Sequence, residues 1–374
     1  MYRRFLLVLA AAAVISLVLT GCGKKGDSPA ENIITEEAET EEEAETEEVA
    51  ETEEAVQDDI PMVGLVTYTG GVEDGSFNQS AWEGLSRLAG SIDCETRFLE
   101  SRAAGDFQKN MHSLIDEGCD LCWGIGYSCA DALLKEAEEH PDNSFAIVDY
   151  SYPETPENMT GVMFRAQEGA FLAGYIACSV TETGNIGFVG GEHNEIIDQF
   201  QYGYQAGAAY AAKIKNKTVE VRTVYAETFS DTEKGRTLAA GLYGDGCDIV
   251  FHAAGQTGLG VIDAAKDADK YVIGVDKDQS YLAPDNVLTS VLKNVNAAVF
   301  TVSKEYLSGD DIGGKTISLG LAEDAAGISE EHWLYSDEIY EEVLKLGEDI
   351  AEGRIVPPDT EAAYNSFLEE PAGL

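Results

Sequence analysis

Three aspartates stand where an apolar run gives way to a polar loop: Asp74, Asp149 and Asp276. Asp149 follows Phe145-Ala146-Ile147-Val148, and Asp276 follows Val272-Ile273-Gly274-Val275. Asp74 opens Asp74-Gly75-Ser76-Phe77-Asn78-Gln79, just after the apolar segment 62–68. A single aspartate in such a place is commonly a helix cap or turn residue. Three in the same setting suit a neutral or cationic ligand rich in donors, such as a sugar hydroxyl pair or a base N–H, and they repel phosphate. Asp276-x-Asp278-x-Ser280 begins like a calcium loop, but Tyr281 occupies the position that needs glycine, so that reading fails.

Other chemistry-bearing patterns are incomplete. Gly255-Gln256-Thr257-Gly258-Leu259-Gly260 has the glycine spacing of a phosphate loop, yet Val261 and Ile262 replace the required Lys and Ser/Thr. Its glycines either let backbone approach a neutral ligand or make a tight turn. Gly124-Ile125-Gly126-Tyr127-Ser128-Cys129 offers two glycines of a dinucleotide fingerprint, with Cys129 in place of the third. Tyr127 there is a candidate to contact a ligand ring. Cys119-x-x-Cys122 has no second close pair and lies in an apolar run, which favours core cysteine over a zinc site. The histidines (His112, His140, His193, His252 and His332) show no HExxH or paired spacing, and no Gly-x-Ser-x-Gly elbow is present. No catalytic constellation, cofactor motif or metal-ligand set emerges. Phe200 sits on the stripe Ile196, Ile197, Phe200, Tyr204, Ala208, Ala211, which by itself reads as a core helix face.

The elements that must position these residues alternate. Strand-like runs fall at 62–68, 95–99, 119–125, 144–149, 160–164, 185–190, 218–225, 247–252, 271–275, 287–292 and 316–321. Helical spacing fills most gaps: 80–90, 105–117, 128–139, 167–180, 195–214, 231–243, 258–268, 296–307 and 336–352. Ser76 or Asn78 is the expected cap of the first helix. That alternation predicts an α/β fold with parallel sheets, and the strand number predicts two lobes. In such sheets ligands bind at the strand carboxyl ends, where the three aspartates lie. Ile355-Val356-Pro357-Pro358 is expected to end the fold, with a loose tail beyond.

The formal charge of −45 is unevenly spread: fifteen acidic residues and no basic one lie between Glu31 and Asp59. A basic nucleic-acid footprint is absent. Residues 22–59 read as an acidic, disordered tether, because so little apolar surface cannot offset ordering entropy. Before it, Arg3 and Arg4 precede an apolar run from Phe5 to Leu19, the pattern of a signal peptide over 1–21. Leu19-Thr20-Gly21-Cys22 resembles the lipobox of bacterial lipoproteins, which implies lipidation of Cys22 and a chain anchored to the extracytoplasmic face of the bacterial cell membrane.

Val63-Gly64-Leu65-Val66, Asp74 to Gln79 and Trp82-Glu83-Gly84 together resemble the basic membrane protein family of ABC-transporter lipoproteins, which includes purine-nucleoside receptors. The likeness continues through 168–174, 187–191, 200–207, 253–258, 273–280 and 288–293. It implies a type I periplasmic-binding-protein fold, two Rossmann-like lobes with hinge crossings near 163, 291 and 316. Lobe 1 would be 62–162 plus 292–315, and lobe 2 would be 163–291 plus 316–370. The resemblance also implies a monomeric, non-enzymatic receptor that passes a nucleoside to ABC permease and ATPase subunits. Phe77 and Phe200 would sandwich the base, while Asp74, Asn78 and Asp149 would bond its polar edge. Asp276 would accept from ribose hydroxyls, Gly255 would bring backbone close, and Lys293 would reach the sugar side. Gly126 and Tyr127 complete the implied site. Tyr127 departs from the family's usual Phe, and its hydroxyl either adds a hydrogen bond or narrows the pocket. A free sugar or signalling furanose on the same fold, or a nucleoside hydrolase, are the alternative readings.

Overall fold

The structure, a computed structural model, describes residues 60–369. The signal peptide, Cys22 and the acidic tether therefore lie outside the described residues. In chain order the first elements are β1 (Met62–Val66), α1 (Phe77–Ala89), β2 (Glu95–Leu99), α2 (Ala104–Asp116), β3 (Cys119–Ile125), α3 (Ala130–Glu139), β4 (Ser144–Val148) and β5 (Met159–Phe164). Next come α4 (Ala166–Val180), β6 (Asn185–Gly190), α5 (Glu195–Lys215), β7 (Glu220–Tyr225), α6 (Thr232–Gly244), β8 (Ile249–Ala253), α7 (Thr257–Ala268) and β9 (Tyr271–Asp276). The last are β10 (Val287–Lys293), α8 (Val295–Leu307), β11 (Lys315–Leu319), β12 (Ala326–Ile328), α9 (Asp337–Ala351) and α10 (Glu361–Glu369).

Among the described residues the strands form two six-stranded sheets, ordered β11-β5-β4-β3-β1-β2 and β12-β10-β9-β8-β6-β7. Every pair is parallel except β10 with β12, which is antiparallel. Helices cover both faces of each sheet, which is why central strands such as β8 are buried along their whole length. On the first sheet, α1 and α8 enclose one core around Leu85, Trp123 and Val299, while α2 and α3 enclose another around Met111, Leu133 and Phe145. On the second sheet, α4, α5 and α9 bury Phe171, Tyr204 and Leu346 on one side, and α6 and α7 bury Leu242 and Val261 on the other. None of the described helices is long and apolar enough to cross a membrane.

The chain passes between sheets at Arg165, Asn294 and Gly320, the residues that follow β5, β10 and β11. The third crossing differs from the expected position near 316. Residues 315–319 pair with β5 in the first sheet, and Ile317 and Leu319 pack on its core. An apolar run announces a strand but not which sheet it joins. The tail also differs: α10 docks on the second lobe, with Phe367 edge-on to Phe171 at 5.9 Å between ring centroids. Pro357 and Pro358 end a connection there rather than the fold.

Glycine sets the closest helix contact. In α4 nearly every residue is buried, so it has no polar face and must be wrapped on all sides. It meets α5 through Gly174, Gly203 and Gly207, where backbone touches backbone. A Cβ at Gly207 would overlap the Phe171 carbonyl oxygen, and one at Gly174 would overlap that of Tyr204. Gly241, exposed in α6, has nothing within 4 Å of the same position. We therefore expect Gly207→Ala to lower stability by about 2–3 kcal/mol through forced separation of α4 and α5. Gly241→Ala should instead raise stability by about 0.5–1 kcal/mol through reduced unfolded-state entropy. Thermal unfolding midpoints read both, and an unchanged midpoint for Gly207→Ala would refute the close-packed seam.

Candidate functional site

The carboxyl ends of the two sheets face each other across a small cavity of about 70 Å³ lined from both lobes. Asp74, Phe77, Asn78, Gly126, Tyr127, Asp149, Phe200, Gly255, Asp276 and Lys293 all line it. The structure thus brings together the ten residues that the family resemblance assigns to the ligand. Their local roles differ from one another.

Asp74 is occupied by its own loop. One carboxylate oxygen accepts the Ser76 and Gln79 amides at 2.9 and 3.0 Å; the other accepts the Asn78 amide and Asn78 Nδ2 at 2.9 and 3.0 Å. Asp74 therefore holds the free amides at the start of α1, whereas Ser76, the N-cap by position, makes no side-chain cap bond. Asn78 Oδ1 accepts the Tyr68 amide at 2.9 Å, so Asn78 ties this loop back to the end of β1. The expected base contacts from Asp74 and Asn78 compete with these bonds, because both Asp74 oxygens already accept two donors each. Burial pushes the Asp74 carboxyl above its ordinary range, while the Asn78, Gln79 and Ser76 amides pull it back.

Released from capping, the Ser76 hydroxyl reaches across the cleft and donates to Asp276 Oδ2. Asp149 and Asp276 are alike in backbone: each leaves its strand at positive φ, 63° and 67°. Left-handed turns of this kind are uncommon outside glycine, and they aim both carboxylates into the cavity. Lys293, the last residue of β10, donates to Asp149 Oδ2 at 2.5 Å, leaving Asp149 Oδ1 buried without a partner. The Lys293 ammonium also lies 4.9, 5.2 and 5.8 Å from the ring centroids of Phe77, Phe164 and Phe200. Burial raises the Asp276 carboxyl to about 6, against the opposing pull of Lys293 and the Ser76 hydroxyl.

The two lobes touch across the cavity mouth. Tyr127, at the end of the first sheet, donates its hydroxyl to Glu192 Oε2 at 2.7 Å, and Tyr68 donates to Glu192 Oε1 at 3.4 Å. The added hydroxyl at Tyr127 therefore supplies a hydrogen bond to the opposite lobe. Burial and then the Glu192 carboxylate raise the Tyr127 phenol, which stays protonated as a donor. Tyr68 also meets Phe229 edge-on at 5.5 Å. Lys277 pairs with Glu83 at 2.6 Å, and Gln279 Nε2 donates to the Gly75 carbonyl at 3.1 Å. Gln279 Oε1 accepts the Val275 amide and faces His252 Nε2 at 3.1 Å, which places a proton on that ring nitrogen. Buried and uncharged, His252 has its pKa lowered to about 4.

Two glycine motifs now have separate explanations. Gly126 and Gly255 turn at φ 98° and 55°, keeping the strand ends open to the cavity. A side chain at Gly258 would strike the His252 ring, and one at Gly260 the Thr232 carbonyl, so both serve packing. Tyr68, Glu192, Phe229 and Gln279 escaped the sequence reading. Tyr68 and Glu192 follow the apolar ends of β1 and β6, the same setting that marked the aspartates, so a uniform reading of strand ends would have found them. Nothing local distinguished Phe229 or Gln279.

Residues 62–361 match the family described as ABC transporter substrate-binding protein PnrA-like, Bmp. Over 317 residues the chain is 41% identical to basic membrane protein A of Borreliella burgdorferi, covering 83% of this chain and 92% of the relative. Basic membrane protein A of Borreliella afzelii is 40% identical over 320 residues, with 84% and 97% covered. In structure the chain is similar to an ABC transporter system solute-binding protein from Aeropyrum pernix K1, with a TM-score of 0.75, 25% identity, and 83% and 97% of the two chains covered. The fold is that of type I periplasmic binding proteins, two α/β lobes around a cleft. This protein belongs to the Bmp family of ABC-transporter substrate-binding proteins, which bind a solute rather than transform it.

Proposed function

We propose that the solute is a purine nucleoside, captured by closure of the two lobes and delivered to the permease and ATPase of an ABC importer by a receptor lipid-anchored through Cys22. The observation that carries this reading is the pairing of aromatic walls with acceptor-rich ends. Phe77 and Phe200 line the cavity, while Asp149 Oδ1 and Asp276 face it as carboxylate acceptors. Lys293 is already paired with Asp149, so the lining offers no unmatched cation for a phosphate. A flat base with N–H donors and a ribose with vicinal hydroxyls satisfies both features together.

Calorimetric titration of the purified chain with inosine, guanosine, adenosine, cytidine and ribose tests the assignment. Purine nucleosides should bind saturably, ribose should give little heat, and nucleoside monophosphates should bind at least tenfold more weakly. Phe77→Ala should weaken nucleoside binding by about tenfold or more, consistent with loss of an aromatic contact and its buried area. Silence toward every nucleoside, or ribose binding indifferent to Phe77→Ala, would sink the ligand assignment while leaving the fold intact.

Acidity should act on stability and binding with opposite signs. A free aspartate has its pKa near 3.8, and Asp276 is raised to about 6 in the folded chain. Between those values the folded state holds the extra proton, so this group's contribution to stability is present at low pH and is lost as pH rises toward 6. Only the ionised form accepts two ligand hydroxyls, however. Nucleoside affinity should therefore fall by about tenfold between pH 7.5 and pH 5, with the loss concentrated below 6. An Asp276→Asn variant should bind weakly with a flattened profile. A wild-type affinity constant across that range would remove Asp276 from the contact set.

The Tyr127 hydroxyl bridges the lobes and is not needed to fill the ring's volume. Tyr127→Phe should leave ligand association nearly unchanged and speed dissociation about two- to tenfold, the worth of one hydrogen bond. Stopped-flow displacement separates the two rates. A variant altered mainly in association would contradict a closing contact.

A further inference from the structure

Away from the cleft, on the α2–α3 face of the first lobe, two histidines converge on one buried carboxylate. Glu136 has a side chain only 1% exposed. Its Oε2 lies 3.2 Å from His112 Nδ1 and 3.3 Å from His140 Nε2. His112 comes from α2, and His140 caps the end of α3, one turn beyond Glu136. The three ligand atoms all lie within 4.8 Å of one another. We propose that His112, Glu136 and His140 form a binding site for a divalent cation of zinc type.

Several observations converge on this. Tetrahedral zinc with bonds of about 2.0–2.1 Å separates neighbouring ligand atoms by about 3.4 Å, close to the spacing on both sides of Glu136 Oε2. Two imidazoles and a carboxylate are a borderline donor set that suits zinc better than calcium or magnesium. The outer groups are also placed to orient the ligands. Gln108 Nε2 donates to the other Glu136 oxygen at 3.4 Å, and Asp116 Oδ2 lies 3.7 Å from His112 Nε2, the nitrogen facing away from Glu136. Carboxylates behind metal-bound histidines commonly fix the ring and its tautomer in this way. Among the described residues, the side chains that reach the Glu136 carboxylate are these two histidines and Gln108. His112 is half exposed, which keeps a fourth position open to water.

The site lies at the carboxyl-terminal ends of α2 and α3, whereas the cleft lies at the carboxyl ends of the strands. In parallel α/β units these are opposite edges of the sheet. Metal there would pin α2 to α3 without touching the solute. Zinc chloride titrated into the purified chain against a chromophoric chelator tests the proposal. One saturable zinc site per chain is expected, weakened at least tenfold by His112→Ala and by His140→Ala. His193→Ala and His332→Ala should leave it unchanged. X-ray absorption of the zinc-loaded chain should show two imidazole nitrogens. His112 is exposed, so its variant is expected to fold, and circular dichroism checks this. Absence of saturable binding, or zinc uptake indifferent to both substitutions because the acidic stretch 31–59 carries it, would overturn the assignment.

Discussion

The buried pair of Lys293 and Asp149 governs how the rest of the site is arranged. Lys293 closes the last parallel strand of the second sheet, and Asp149 follows a central strand of the first, so the pair spans the lobes. The side chains are 3% and 7% exposed, which makes each charge costly unless the other is present. Phe77, Phe164 and Phe200 surround the ammonium and keep it dry, adding cation–π attraction to the ion pair. The aromatic lining is therefore tied to the charge arrangement. Moving a ring to suit a ligand would also disturb the environment of Lys293. One Asp149 oxygen remains unpartnered, so the pair as it stands is incomplete and offers an acceptor to whatever enters.

The packing inside a lobe and the contacts between lobes follow from different parts of the sequence. Inside the second lobe, Gly174, Gly203 and Gly207 bring α4 and α5 to backbone contact, which leaves little room for internal motion. Across the cleft the contacts are mostly polar: Tyr127 and Tyr68 with Glu192, Lys277 with Glu83, and Gln279 with Gly75. A hydrogen bond of this kind contributes only about 1 kcal/mol net. The three crossings are stitched side by side. Arg165 bonds Glu168, the Ser318 carbonyl and Glu323, while Asn294 bonds the Asp324 carbonyl. These bonds tie the first crossing to the strand and loop around the third, and the second crossing to the loop that follows the third.

Much of this was legible because the fold repeats one unit. All eleven apolar runs became strands within a few residues, since parallel strands covered on both faces need continuous apolar sequence. What failed lacked that signal. Ala326–Ile328 is three residues long and antiparallel, too short to register as a run. Glu361–Glu369 follows two prolines, a pattern that predicts a loose tail, yet Phe367 finds a place on Phe171. The third crossing lies beyond the position that the sequence predicts, because pairing partners are set by tertiary contact. Cavity-lining residues at strand ends are legible for the same reason as the strands. His112 and Glu136 stand on different helices, and only packing makes them neighbours.

Asp74, Asp149 and Asp276 show why residue type alone did not settle their roles. Backbone amides satisfy Asp74, an ammonium satisfies half of Asp149, and Asp276 has a serine hydroxyl with a lysine at greater remove. The first arrangement is internal to one loop and fixes where α1 begins. By capping that helix, Asp74 frees Ser76 to reach Asp276 across the cleft. Burial, against the opposing pull of Lys293 and the Ser76 hydroxyl, raises the Asp276 carboxyl to about 6. A carboxylate held in that condition gains most from new donors, because each added hydrogen bond replaces solvation that burial removed. By taking up the free amides of its own loop, Asp74 leaves the Ser76 hydroxyl to Asp276, so capping on one lobe adds a donor to a carboxylate on the other.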